Sequence, residues 1–87
     1  MKKIMSEDAE VLTIYLDDSD ERPTLKKLQE FVGGYIEIVS SVDMKKQVVV
    51  DEEGLIKGKP YNEDASEEAG MNLVGDAVIL SGNARVD

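Results

Sequence analysis

The sequence predicts an α+β fold in which two helices cover a mainly antiparallel sheet, giving a two-layer domain. Three observations lead to this prediction. Apolar and polar residues alternate over residues 11–17, as in a half-buried strand. Residues 24–34 carry apolar side chains at helical spacing, and the segment 47–51, "QVVVD", has a run of three β-branched residues. With a short return strand in parentheses, the predicted order is β-α-β-β-(β)-α-β, which matches the ferredoxin-like plait.

The length allows one small domain, residues 1–87. We expect its two ends, residues 1–10 and 83–87, to be loosely ordered. The lysines at the start of the chain are not followed by an apolar segment, so no signal peptide is expected. No apolar run approaches the roughly 20 residues that a membrane-spanning helix needs.

The helix over residues 24–34 is expected to begin at Thr24 as N-cap, or with Pro23 in its first position. It should end at Gly33, because glycine adopts the left-handed conformation of a helix C-cap without strain. A strand is predicted directly afterwards, over residues 35–44, with Tyr35 on its exposed side.

Residues 51–54, "DEEG", read as a tight hairpin turn in which Gly54 has a positive φ. Residues 55–57, "LIK", would then form the short return strand. A second helix is predicted over "EDASEEA", with Asn62 as its N-cap and Gly70 as its stop. The apolar segment "VGDAVILSG" that follows is predicted to be an inner strand.

Composition excludes several kinds of chemistry. The chain has no cysteine and no histidine, so it cannot form disulfides, thiolate or imidazole zinc sites, or Cys–His and Ser–His–Asp catalytic groups. Its net charge of −9 disfavours direct binding to nucleic acid and to anionic membranes. The same charge favours solubility, basic protein surfaces or cations. Carboxylates concentrate in residues 7–21 and 51–68.

Three motifs could carry chemistry, and each has a simpler explanation. The acidic run 17–21 lacks the glycine and the distal glutamate of a calcium loop, so a solvated turn is favoured over a metal site. Asp51, Glu52 and Glu53 lie at a turn with no nucleophile nearby, which disfavours acid–base catalysis. Residues 54–60 lack the Gly-Lys-Ser/Thr end of a phosphate loop. We therefore expect no catalytic residue, no metal, no cofactor and no enzymatic activity.

Three segments taken together resemble a family of small proteins of unknown function from bacteriophages, plasmids and bacterial genomes. They are "TLKKLQEFVGGYIEIV", "VVVDEEGLIKGKPYN" and "VGDAVIL", and the resemblance covers roughly residues 24–80. It implies a small cytoplasmic protein in a bacterial host, and it implies no particular activity. It also implies that residues 33–37 and 51–62 act together at the ends of neighbouring strands. The candidate interaction residues are Gly33, Gly34, Tyr35, Glu37, Asp51, Glu52, Glu53, Gly54, Lys57, Lys59 and Asn62.

The leading hypothesis is a non-enzymatic phage or mobile-element protein whose acidic face binds a basic surface on a host or phage protein. In its sharper form the carboxylates imitate the charge of DNA and so inhibit a host protein. One alternative is a small-molecule or nucleotide-binding module that uses the glycine-rich junction with Lys57 or Lys59. Another is a structural module that forms a homodimer through an unpaired strand edge beside residues 55–57.

Overall fold

The fold is a mixed sheet flanked by two helices, and the α+β class predicted from the sequence is confirmed. The computed structural model of the chain describes residues 2–5, 10–82 and 84. Within these residues the elements in chain order are β1 (Lys2–Met5), β2 (Glu10–Leu16), α1 (Leu25–Val32), β3 (Ile36–Ser40), β4 (Lys46–Asp51), α2 (Glu63–Ala69) and β5 (Ala77–Ser81).

The strands of the described sheet lie in the order β1-β2-β5-β4-β3. The β2–β5 pair is parallel, and the other three pairs are antiparallel, as the prediction of a mainly antiparallel sheet requires. The parallel pair is where the strand order departs from the ferredoxin-like plait, whose strands are all antiparallel. β5 is buried along most of its length, so it takes an inner position between β2 and β4.

The two helices pack on opposite faces of the sheet, so the structure has three layers where two were expected. One buried cluster includes Ala65 of α2 and consists of Val48, Val50, Ala65, Leu73, Ala77 and Ile79. The other includes Leu28 of α1 and consists of Leu28, Val49, Val78, Leu80 and Ala84. Neighbouring residues of a strand point to opposite faces, so the consecutive valines of β4 enter both clusters. β4 therefore needs a helix on each side.

The predicted caps of α1 are present. Thr24 is the N-cap, and its side chain accepts a hydrogen bond of 3.2 Å from the backbone N–H of Lys27. Gly33 ends the helix in the left-handed region, at φ 89°. The N–H groups of Gly33 and Gly34 both donate to the carbonyl of Gln29, which satisfies one of the helix's terminal carbonyls. Pro23 precedes the N-cap and lies outside the helix.

Asn62 caps α2 as predicted, and it also connects this helix to the sheet. Its side-chain oxygen accepts from the N–H of Ala65 at 2.9 Å and from the hydroxyl of Thr13 on β2 at 3.1 Å. Its amide nitrogen donates to the carbonyl of Gly75 at 2.9 Å. Asn62 is fully buried, so all three partners depend on it for hydrogen bonding.

The structure describes part of each end that the sequence predicts to be loosely ordered. Residues 2–5 form β1, which pairs antiparallel with β2. Near the other end, Ala84 is buried in the cluster on the α1 side of the sheet. The rest of that expectation, for residues 1, 6–9, 83 and 85–87, lies outside the described residues.

Candidate interaction site

The segment that follows β4 folds into a single helical turn. The N–H of Gly58 donates to the carbonyl of Leu55 at 3.1 Å, and the N–H of Lys59 donates to the carbonyl of Gly54 at 3.0 Å. Gly58 lies in the left-handed region, at φ 72°. These bonds form a Schellman motif, the usual way in which a helix ends. The predicted return strand at residues 55–57 is therefore wrong.

Gly54 is required for close packing and not for a positive φ, which it does not have. It is buried, and a Cβ atom at this position would lie 2.9 Å from Cγ2 of Val74. The turn thus packs directly against the loop that leads into β5. Sequence reasoning identified the glycine but assigned it the wrong physical role.

Asp51, the last residue of β4, is the centre of the site. Its side chain is almost completely buried, and one carboxylate oxygen lies 2.8 Å from Nζ of both Lys57 and Lys59. The other oxygen accepts from the N–H of Glu53 at 2.9 Å. Burial alone would raise the pKa of Asp51, but the hydrogen bonds from the two lysines and from Glu53 outweigh it and hold this pKa well below its usual range. The carboxylate is therefore ionised at physiological pH.

Both lysines also reach the end of α1. Nζ of Lys57 donates to the carbonyl of Gly33 at 3.0 Å, and Nζ of Lys59 donates to the carbonyl of Val32. Positive charge is favourable there, because the terminal carbonyls of a helix carry partial negative charge. A Cβ atom at Gly34 would lie 2.7 Å from Nζ of Lys57, and one at Gly33 would lie 3.0 Å from Nζ of Lys59. The two glycines leave room for the ammonium groups.

These contacts bring the two predicted segments together. Residues 33–37 and 51–59 meet through the lysines and through a hydrogen bond of 2.9 Å from the N–H of Glu52 to the carbonyl of Tyr35. Several of the predicted interaction residues are exposed at this corner: Tyr35, Glu37, Glu52 and Glu53. Asn62 does not belong with them, because it is the buried cap of α2.

Two exposed residues at this corner were missed as candidates. Leu55 and Ile56 lie on the helical turn with 80% and 85% of their surfaces exposed. Their position between two glycines at the end of a β-strand is a signal for an exposed turn, which the structure has in place of the predicted return strand.

A groove of about 220 Å³ opens beside this turn. Its buried lining residues are Val50, Asp51, Gly54 and Leu73, and Leu55 and Met71 form its more exposed apolar part. Two exposed carboxylates, one on β3 and one just after β4, also line the groove: Glu37 and Glu52. Asn72 and Val74 line the rest. The groove lies on the α2 side of the sheet, because Val50 belongs to the cluster on that face.

The ammonium groups of the site are already bound within the chain. Each of Lys57 and Lys59 already contacts a carboxylate and a backbone carbonyl, so neither ammonium is presented to a phosphate. In the part of the chain that the structure describes, no three Asp or Glu residues are grouped as a metal site would require.

A family model described as Domain of unknown function (DUF3846) matches residues 1–86. The chain belongs to this family. The match covers every element of the described sheet, including β1, which the resemblance noted over residues 24–80 did not reach. Neither the curated proteins nor the solved structures contain a match to the chain. Among the described residues, no helix is long and apolar enough to span a membrane.

Proposed function

We propose that this protein is a non-enzymatic interaction module that binds a partner protein with a basic and partly apolar surface. The contact surface is the recognition corner, defined as Tyr35, Glu37, Glu52, Leu55 and Ile56. The observation that carries the proposal is the exposure of Leu55 and Ile56 on a turn that is itself fixed by hydrogen bonds.

The turn is held to the body of the protein at several points. Its Schellman motif closes it locally, and Lys57 and Lys59 connect it to Asp51 and to the end of α1. An apolar pair on a fixed turn loses little conformational entropy when a partner covers it. Burying both side chains removes apolar area worth about 1.5–3 kcal/mol for each residue.

Tyr35 adds exposed surface at this corner, since its carbonyl accepts from the N–H of Glu52 and 72% of its surface is exposed. Tyrosine is enriched at protein interfaces because a large apolar ring and a polar hydroxyl are combined in one side chain. The carboxylates of Glu37 and Glu52 lie beside this apolar surface and would select a basic partner.

The net charge of −9 supports the same class of partner. Long-range attraction between this chain and a basic surface would speed association and weaken with salt. In its sharper form, we propose that the chain is a phage or mobile-element protein that acts in the bacterial cytoplasm. There the chain would occupy the nucleic-acid site of a host protein by presenting carboxylates in place of phosphates.

Self-association is a second candidate, because β3 is an edge strand of the described sheet. It contains no proline or lysine to block pairing, and Ile38 on it is 41% exposed. Antiparallel pairing of two copies about Ile38 would place Glu37 opposite Val39 and would bring no like charges face to face. Sedimentation of the purified chain at micromolar concentration tests this: a dimer that Ile38→Lys converts to a monomer supports it, and a monomer at all concentrations contradicts it.

The interaction proposal is tested by capturing proteins from bacterial lysate with the tagged full chain at low and high salt. Three baits are compared: the natural sequence, the Leu55→Ser/Ile56→Ser double variant, and Met44→Asn as matched control. Met44 is 75% exposed in the β3–β4 loop, so its replacement removes an apolar side chain far from the turn along the chain.

We expect a basic protein that the natural chain and Met44→Asn both retain at low salt, and that the double variant loses. Circular dichroism spectra must first show that all three baits are folded. The proposal is wrong if the double variant retains the same proteins as the control, or if none of the baits retains any specific protein.

A further inference from the structure

We propose that the groove bounded by Glu37, Val50, Glu52, Leu55 and Leu73 binds one arginine side chain. The inference rests on the proposed function, since the arginine would belong to the basic partner. It deepens that proposal by naming the chemical group that the partner must present at the recognition corner.

The apolar part of the groove suits a side chain with an aliphatic stem. Val50 and Leu73 are 3% and 6% exposed and form its base, while Leu55 and Met71 remain half or more exposed above them. Arginine buries its methylene groups against such surfaces and keeps its charged end in contact with water. Methionine adapts to irregular shapes, so Met71 can close around an inserted stem.

The two exposed carboxylates of the groove have no cation partner in the part of the chain that the structure describes, unlike Asp51, which also lines it and is paired with Lys57 and Lys59. Among the described residues, neither Glu37 nor Glu52 forms an ion pair. The nearest lysines along the chain, Lys57 and Lys59, are held by the Asp51 carboxylate and by the end of α1. α1 packs on the opposite face of the sheet from the groove. A positive group entering the groove would therefore meet two carboxylates that no described lysine or arginine neutralises.

The size of the groove favours one side chain over a free ligand. Its volume of about 220 Å³ is below the roughly 300–1,000 Å³ of typical small-molecule sites. Arginine is preferred over lysine because its guanidinium group is planar, is more weakly hydrated, and can donate two parallel hydrogen bonds to a carboxylate.

The test is an NMR titration of the 15N-labelled full chain with N-acetyl-arginine-methylamide. The citrulline analogue has nearly the same shape without the charge, and the lysine analogue has the charge without the planar group. We expect saturable shifts for the arginine analogue at the amides of Gly54, Leu55, Leu73 and Val74. The lysine analogue should bind at least fivefold more weakly, and the citrulline analogue should cause no saturable shifts.

Two double variants then locate the charge. Glu37→Gln/Glu52→Gln is expected to weaken arginine binding at least tenfold. The matched control, Glu30→Gln/Glu67→Gln, removes two exposed carboxylates from the helices and should leave binding unchanged. Equal binding of the citrulline analogue, shifts spread over the whole acidic surface, or equal weakening by the control pair would overturn the assignment.

The two proposals fail in different ways. If the arginine analogue does not bind but the Leu55→Ser/Ile56→Ser bait still loses its captured protein, the groove assignment is wrong and the interaction function stands. If the analogue binds as expected but no bait captures a specific protein, the interaction function is wrong, and the arginine site remains as a property of the isolated chain.

Discussion

Replacing Asp51 with asparagine is expected to lower the free energy of unfolding by about 2–3 kcal/mol. The carboxylate accepts two hydrogen bonds of 2.8 Å from Lys57 and Lys59, and each hydrogen bond to a charged group contributes about 1.5–3 kcal/mol. The two lysine side chains remain 36% and 23% exposed, so water recovers part of that loss. The asparagine oxygen can also keep one of the two bonds.

The loss would be a large part of the total stability. At about 0.05–0.15 kcal/mol per residue, a chain of 87 residues has a free energy of unfolding of about 4–13 kcal/mol. Urea unfolding followed by circular dichroism measures the change. With a urea dependence of about 1 kcal/mol per molar, the midpoint should fall by about 2–3 M. Glu52→Gln is the control, because this exposed carboxylate has no ion-pair partner among the described residues and its loss should shift the midpoint little.

The difference in unfolding free energy between the natural chain and Asp51→Asn should depend on pH. The pKa of Asp51 is lower in the folded than in the unfolded chain, so the stabilisation is fully present above the unfolded value of about 3.9 and is lost as the pH falls toward the folded value. This difference in free energy should be constant from about pH 5 to 8 and should decrease below about pH 4. If the free energy of unfolding of Asp51→Asn at pH 7 is within about 0.5 kcal/mol of the natural value, this account of the Asp51 ion pairs is wrong.

The remaining predictions concern single positions, and equilibrium urea unfolding measures each of them. Asn62→Ala should destabilise the chain by about 2–3 kcal/mol, because it removes the cap of α2 and leaves buried partners unsatisfied; a loss below 1 kcal/mol would contradict this. Met44→Asn should be neutral or stabilise by up to about 1 kcal/mol, because Met44 has a φ of 61° that asparagine tolerates better; clear destabilisation would count against it. Gly54→Ala should cost about 1–3 kcal/mol by overlap with Val74, and Gly58→Ala about 1 kcal/mol by backbone strain at φ 72°. A second change, Val74→Ala, should therefore rescue the first variant and not the second.

Local signals predicted the elements of this fold well. The helix ends were predicted correctly, because each depends on one residue. The N-caps accept a hydrogen bond through their side chains (Thr24 and Asn62), and the C-caps adopt the left-handed conformation (Gly33 and Gly70). β5 was recognised as an inner strand because its apolar run leaves no polar face. Such features depend on residues close together in the sequence, which explains why they can be read from it.

The placement of the helices could not be predicted in the same way, although a signal was present. The three consecutive valines of β4 and the apolar run of β5 indicate burial on both faces, and this requires covering layers on both sides. β1 was missed because its short, lysine-rich sequence has no clear alternation. It is specified by pairing with β2, which is a property of the folded sheet and not of the segment.

The sequence, through its resemblance to a family, indicated that residues 33–37 and 51–62 act together, and in the structure residues 33–37 contact residues 51–59. It did not indicate that Lys57 and Lys59 would bind Asp51, because an ion pair depends on side-chain directions that a turn of unknown geometry does not define. The change from hairpin to helical turn also altered which residues are exposed, so Leu55 and Ile56 were found only in the structure.

The central position of β5 has a consequence for the way this chain is made. β2 and β4 have no common neighbour until residues 77–81 have left the ribosome, and β2 pairs with β5 across more than 60 residues of chain. Contacts this distant in sequence slow folding, because a long loop must close before they form. The β1–β2 and β3–β4 pairs can therefore join into one sheet only after the segment through Ser81 has been synthesised. Until then the apolar faces of β2 and β4 are exposed to chaperones and proteases, so the yield of folded protein should be sensitive to interruption of synthesis before β5.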